Sequence, residues 1–407
     1  MKEESIFQNK SYLLLVLTLF FTAHGFQIQF VALSWQIYLA TKDPLSLGFI
    51  GLAEASSFLI VCFLGGIIAD RFHRKMLSII ALSGQILCGL LYLYFTFKFT
   101  NLKSHQIYFF YGVTFLKGIF RGLYQPAFNA IASEVVSPHL ISKAAAFRAS
   151  AWHIAFIVGP SIGGLILGAT NIFNTYMTAL VLLSIGLICI SFVQYQPKKN
   201  SNSKESILKS LSQGVNFVFG HKIILTSISL DLFSVLFGGA IALLPVYASD
   251  ILKVGPEGLG YLKAAPGLGA LVMSIYCTKF PIKSNIGMKL IISVFCFGLS
   301  MLFFGITKSF FMSLISLFLS GFFDTISVII RSLIIQTYTP QNLMGRVMSV
   351  NLIFIGSSNE LGAFESGIAA RILGVVPSVV FGSFLTLLIV IFTYLKVGDL
   401  KRLDSIE

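Results

Sequence analysis

The chain has 407 residues, of which 56% are hydrophobic and only 11% charged, and its mean hydropathy is +0.87. A soluble domain carries about 25% charged residues, so most of this chain cannot face water and a large soluble catalytic domain is excluded. Lys+Arg 29 against Asp+Glu 16 gives a net charge of +13, and the placement of that surplus decides whether it serves nucleic acid or a membrane.

A bilayer-spanning helix needs about 20 apolar residues. Twelve such spans are predicted, over residues 11–40, 46–69, 76–98, 106–133, 142–169, 173–195, 223–248, 258–279, 287–306, 309–336, 346–373 and 375–396. A β-barrel would read as short alternating strands instead. The first run follows Lys2 and Lys10 as a signal peptide would, but it extends from Leu13 to about Leu39, which reads as an uncleaved first helix. Cys62, Cys88, Cys189, Cys277 and Cys296 all fall inside apolar stretches, with no CxxC partner and no His at metal spacing. They read as small buried hydrophobes, and no metal or cofactor is expected.

The polar segment 196–222 divides the chain into a six-helix bundle, 1–195, and a second bundle with a short tail, 223–407. Within the linker, Ile207, Leu208, Leu211, Val215 and Val218 have helical spacing, which predicts a helix lying on the cytoplasmic membrane surface. With the N-terminus inside, the inner loops hold 18 Lys/Arg and the outer loops only Lys42, Lys98, Lys103, Lys253 and Lys308. Both termini are therefore expected in the cytoplasm of a multi-pass inner-membrane protein, and the basic surplus meets anionic lipid, not nucleic acid.

The halves echo each other. Ser137-Pro138-His139-Leu140 before span five parallels Thr339-Pro340-Gln341-Asn342 before span eleven, and Gly118-Ile119-Phe120-Arg121 parallels Gly321-Phe322-Phe323-Asp324. Tandem six-helix units suit a transporter that works by alternating access, with its cargo near the midplane.

The most specific local signal is Gly66-Ile67-Ile68-Ala69-Asp70-Arg71-Phe72-His73-Arg74-Lys75, at the cytoplasmic end of span two. Its spacing resembles the signature loop of the major facilitator superfamily, with His73 where that loop usually has Gly. Gly159-Pro160-Ser161-Ile162-Gly163-Gly164 in span five resembles the fifth-helix Gly-Pro signature of exporters and antiporters in the same superfamily. There Pro160 removes a backbone donor and Gly159, Gly163 and Gly164 permit tight packing. Val31–Tyr38, Ala242-Leu243-Leu244-Pro245, Gly345-Arg346-Val347 and the run from Ser358 to Gly367 resemble the branch that contains the enterobactin (siderophore) exporters.

The resemblance implies an all-α, twelve-span fold of two six-helix pseudo-repeats. It also implies a cytoplasmic latch: Asp70 engages the segment that begins near Arg346, and Arg71, Arg74 and Lys75 face Glu134.

Charges inside apolar spans are costly, at about 2.5–3.5 kcal/mol each on insertion scales, and they mark ion or substrate pathways. Glu54, Asp231, Asp324 and Glu360 are the expected proton carriers, with the neighbouring Asn359 a hydrogen-bond partner for Glu360. Lys117, Arg121, His153 and Glu365 are the expected cavity residues. Lys117 lies one turn from Arg121, and the pair suits an anionic cargo. Arg148, Lys263 and Arg331 either snorkel to the interface or serve the cavity, and Trp35 is expected to anchor in the outer aromatic belt.

No Walker loop, His-Glu-x-x-His or Gly-x-Ser-x-Gly occurs, so the energy comes from a gradient and the chain is not expected to be an enzyme. The expected function is proton-coupled export of a small molecule, a siderophore first and a drug-like amphiphile second. Uptake of an iron–siderophore is the same machine reversed, and a non-transporting receptor is the remote alternative. The expected partners are cargo, protons and membrane lipid, with the chain functional as a monomer.

Overall fold

The computed structural model describes residues 9–403 apart from 72, 100–101, 138–139, 197–206, 283, 342 and 402. Among these the regular structure is helical throughout. The first six long helices are α1 (Lys10–Thr41), α2 (Pro44–Arg71), α3 (Arg74–Lys98), α4 (Ile107–Glu134), α5 (Ile141–Ala169) and α6 (Ile172–Ser191). A linker helix, α7 (Ile207–Gly220), precedes α8 (Lys222–Gly238), α9 (Gly255–Lys279), α10 (Ile286–Ile306), α11 (Phe310–Tyr338), α12 (Met344–Leu373) and α13 (Val375–Lys396). Among the described residues, nine of the segments are long and apolar enough to cross a membrane. The remaining three, α2, α4 and α12, are of similar length at 28, 28 and 30 residues.

The burial pattern is inverted relative to a soluble protein. Thr18, Gln29, Ser78 and Thr114 are almost wholly buried, whereas Ile372, Phe97 and Leu395 are more than 70% exposed. Apolar side chains that face outward need a lipid solvent, and polar ones gather where neighbouring helices satisfy them. Most of the hydroxyls turn back onto their own helices, as Thr18 does onto Leu14 O and Thr22 onto Thr18 O.

Three features depart from the expected spans. Span six ends at Ser191, not at residue 195, and Lys75 Nζ donates to the Ser191 carbonyl at 2.7 Å, placing a cation on a helix C-terminus. Span seven is not one continuous helix. It stops at Gly238 and continues as a tight turn over Ala240–Leu243 and a wide one over Tyr247–Ile251, where Gly239 and the missing donor of Pro245 interrupt the ladder. Trp35 is only 8% exposed, so it is packed inside and not held in a belt.

Two compact units emerge from the contacts. Unit 1 comprises residues 1–42, 53–202 and 255–264, and unit 2 comprises 43–52, 203–254 and 265–407. The core of unit 1 centres on Leu15, Leu82, Phe128, Ile131 and Leu183, and that of unit 2 on Ile228, Leu290, Ile330, Ile334 and Val347. The linker helix α7 belongs to the second core through Val218, with Gly214 against the Arg346 backbone.

Each unit thus includes the first turns of a helix whose remainder lies in the other, and glycines make both placements. In unit 1 a Cβ on Gly164 of α5 would stand 2.7 Å from Gly260 Cα of α9. In unit 2 a Cβ on Gly367 of α12 would stand 3.3 Å from Gly48 Cα of α2. The equivalent helices of the two halves make the same exchange, which is how the weak sequence repeat appears in space.

Gly164→Val is expected to destabilise the protein by about 1–3 kcal/mol through overpacking against α9. Gly112→Ala, with open space around the new methyl, is expected to be neutral. Thermal unfolding of both variants in detergent checks this, and equal midpoints would show that the α5–α9 approach is not tight.

Candidate functional site

Helices α2 and α4 lie close enough to share charges because α4 carries glycine on the facing side. A Cβ on Gly118 would fall on Ser57 Oγ and the Glu54 carbonyl, and one on Gly122 would stand 3.1 Å from Val61 Cβ. Lys117 and Arg121, four residues apart on α4, present the same face. Both reach Glu54 of α2. Arg121 Nη1 donates to Glu54 Oε1 at 2.8 Å, and Lys117 Nζ to Oε2 at 3.4 Å. Glu54 is 7% exposed and Lys117 5%, whereas the Arg121 side chain keeps 39% of its surface. Each cation also rests on a ring: Arg121 lies 4.9 Å from the Phe58 centroid and Lys117 5.8 Å from that of Phe26. One buried carboxylate therefore holds two cations, and the wetter of the two is the fork donor.

Unit 2 treats its charges differently. Arg331, 2% exposed, pairs with Asp231, 6% exposed, joining α11 to α8. Arg331 therefore does not snorkel, because a buried acid meets it. Asp324, nearly one turn past the Gly321–Pro266 contact of α11 with α9, has no hydrogen bond or ion pair among the described residues. Glu360 sits against the start of α2, where a Cβ on Gly51 would be 3.2 Å from its Oε2. Asn359 Nδ2 donates to the Ile355 carbonyl of its own helix at 2.9 Å. Glu365 is partly buried and His153 exposed on α5, neither with a hydrogen bond among the described residues.

Where α3 begins and α4 ends, Arg74 pairs with Glu134, and Tyr195 Oη donates to Glu134 Oε2 at 2.5 Å. Burial, then the Glu134 carboxylate, push the Tyr195 phenol up to about 12, so it remains a donor at neutral pH. In unit 2, Arg346 donates to Gln213 of the linker helix. The side chains of Gly66, Asp70 and Arg71 lie outside the described residues; the backbone there is the last turn of α2.

Three groups take settings that sequence reasoning did not give them. Lys263 is turned inward against α1, with its Nζ 3.0 Å from Ser34 Oγ, instead of snorkelling. Gln29 and Gln85 are 1% exposed, and among the described residues both amide atoms of Gln29 and the Gln85 Nε2 have no hydrogen-bond partner. Counting amides as well as charges inside apolar spans would have found them. Tyr195, hidden behind a span drawn too long, was the third.

Comparison with known proteins agrees with this architecture. Residues 15–363 match the family model described as Major Facilitator Superfamily. The chain is 23% identical over 372 residues to "Enterobactin exporter EntS" of Escherichia coli O81 (strain ED1a), covering 91% of this chain and 88% of that protein. It is 24% identical over 379 residues to the protein of the same name from Shigella flexneri, at the same coverage. Among solved structures, a POT family transporter in complex with a thioalcohol-conjugated peptide superposes with a TM-score of 0.76 at 13% identity, covering 96% of both chains. A D-xylose–proton symporter superposes with a TM-score of 0.71 at 15% identity, covering 94% of this chain and 97% of that one.

Removing the shared carboxylate strands two cations. Glu54→Gln is expected to destabilise the folded protein by about 3 kcal/mol, the low end of the range for breaking a buried pair, since Arg121 retains water. Adding Lys117→Met should restore at least half of that loss. Denaturant titration in micelles checks both. An unchanged single variant, or a double variant no better than the single, would contradict this charge assignment.

Proposed function

The chain belongs to the major facilitator superfamily, and on that premise we propose that it exports a small anionic molecule of the siderophore class across the inner membrane, with both termini in the cytoplasm, by proton-coupled alternating access. The observation that carries this reading is the pair of cations, Lys117 and Arg121, set four residues apart on α4 and meeting Glu54 of α2. Arg121, partly exposed and with a planar fork, suits the bidentate capture of a carboxylate or catecholate. The relatives' printed name, an enterobactin exporter, supports the same class.

Of the four carboxylates expected to carry the proton, this account gives the role to Asp324. Protonating Glu54 would leave Lys117 and Arg121 unpaired, and protonating Asp231 would do the same to Arg331. Asp324 can exchange a proton without stranding a described cation. Glu54 then acts as the counter-ion that occupies the cations while cargo is absent. Arg74, Glu134 and Tyr195 on one unit, and Arg346 with Gln213 on the other, would steady the cytoplasmic helix ends as the helices rock. Charge-pair contacts of this kind can favour one conformation and be broken in the other.

The test is flux in sealed proteoliposomes, with and without an imposed pH gradient, against a panel of siderophores and cationic dyes. Accumulation of a catecholate siderophore that depends on the gradient is expected, with cationic dyes moved poorly. Asp324→Asn should abolish gradient-driven accumulation while leaving downhill exchange in place. Full gradient-driven accumulation by that variant would remove Asp324 from coupling, and preference for cationic dyes would replace the siderophore reading with amphiphile efflux.

A further inference from the structure

Three helices of unit 1 converge around the glycines of α5. A Cβ on Gly159 would stand 2.7 Å from Gln27 Cβ of α1, and one on Gly163 3.1 Å from Ile28 Cα, while Gly164 closes on Gly260 of α9. The next turn of α9 beyond Gly260 carries Lys263, roughly 12 Å along the helix from its start at Gly255. A lysine so near a helix end ordinarily extends its stem toward the interface. Here the ammonium points to α1: Nζ donates to Ser34 Oγ at 3.0 Å and lies 4.1 Å from the centroid of the Phe30 ring.

Counting donors shows what is missing. An ammonium has three N–H groups and no acceptor. Ser34 takes one of them, its own hydrogen being committed to the Val31 carbonyl at 3.2 Å, so that its oxygen is free to accept. The Phe30 face attracts the cation electrostatically. Neither brings a negative charge, and among the described residues no carboxylate pairs with Lys263. Glu54, the carboxylate of the α2–α4 cluster, is committed to Lys117 and Arg121. Lys263 is thus a positioned cation with a fixed oxygen on one side, a ring on the other and a donor to spare. Its single-point charge suits one oxygen atom, where a guanidinium would ask for two.

We propose that Lys263, with Ser34 and Phe30, forms an anion subsite that binds a carboxylate or catecholate oxygen of the cargo. The inference rests on the reading of the chain as a transporter of anionic molecules and adds to it a second cation, on α9, separate from the α2–α4 cluster. The Phe30 ring beside the ammonium favours cargo whose oxyanion is attached to an aromatic ring.

The full-length protein offers its own reporter. Trp35 adjoins Ser34, and Trp152 is the only other tryptophan, so Trp152→Phe leaves Trp35 emission to read the subsite. In phosphatidylcholine nanodiscs, where no anionic lipid competes, benzoate and salicylate should change this emission saturably and the neutral benzamide should not. Lys263→Met should weaken the anion response by about ten-fold or more, and Lys263→Arg, which keeps the charge, by about three-fold at most. No saturable anion response in the parent protein, an equal response to benzamide, or an unchanged response in Lys263→Met would each overturn the subsite.

Enterobactin flux measured on the same variants separates this inference from the reading beneath it. Anion binding that disappears in Lys263→Met, alongside no enterobactin flux in the wild type, upholds the subsite and defeats that choice of cargo. Wild-type flux that Lys263→Met leaves untouched defeats the subsite and keeps the transporter.

Discussion

Glu54 is the constraint around which unit 1 is arranged. It is a carboxylate in an apolar helix, shared by Lys117 and Arg121 at 3.4 and 2.8 Å. Lipid tolerates none of these charges alone, so α2 and α4 must approach closely enough for both cations to reach one acid. Gly118 and Gly122 permit that approach, since side chains there would strike Glu54, Ser57 and Val61. Unit 2 meets the same problem with the pair of Asp231 and Arg331, which holds α8 to α11.

The fold was largely legible in the sequence because lipid enforces a simple rule, that every span must satisfy its backbone within itself. Apolar length located the helices. Boundaries failed where local chemistry outweighed apolar length. The sixth helix stops at Ser191, capped by Lys75, although Phe192 and Val193 are apolar enough to continue it. The seventh span breaks after Gly238 where the pattern read as one run.

The candidate site was legible in its members but not in its pairings. Lys117 and Arg121 were found by spacing, and Glu54 by its depth, yet only the structure joins them. Arg331 and Lys263 stayed between snorkelling and function for one reason: position along a helix says how near a charge is to the interface, and says nothing about which neighbour it faces. Arg331 faces an acid on another helix, and Lys263 faces a hydroxyl and a ring on α1. Gln29 and Gln85 escaped because an uncharged amide hardly disturbs an apolar run, although burying one is costly without a partner.

The proposed role of Arg121 and Lys263 is to receive an anionic cargo, so the most direct measurement is of charge itself. Proteoliposomes adsorbed on a solid-supported membrane, at equal pH on both sides and with no membrane potential, report charge displaced when enterobactin is added. The account predicts a transient displacement in the direction of negative charge entering the protein, lost when Arg121 and Lys263 are both replaced by neutral residues. A displacement of positive sign, or one that survives the removal of both cations, would contradict it.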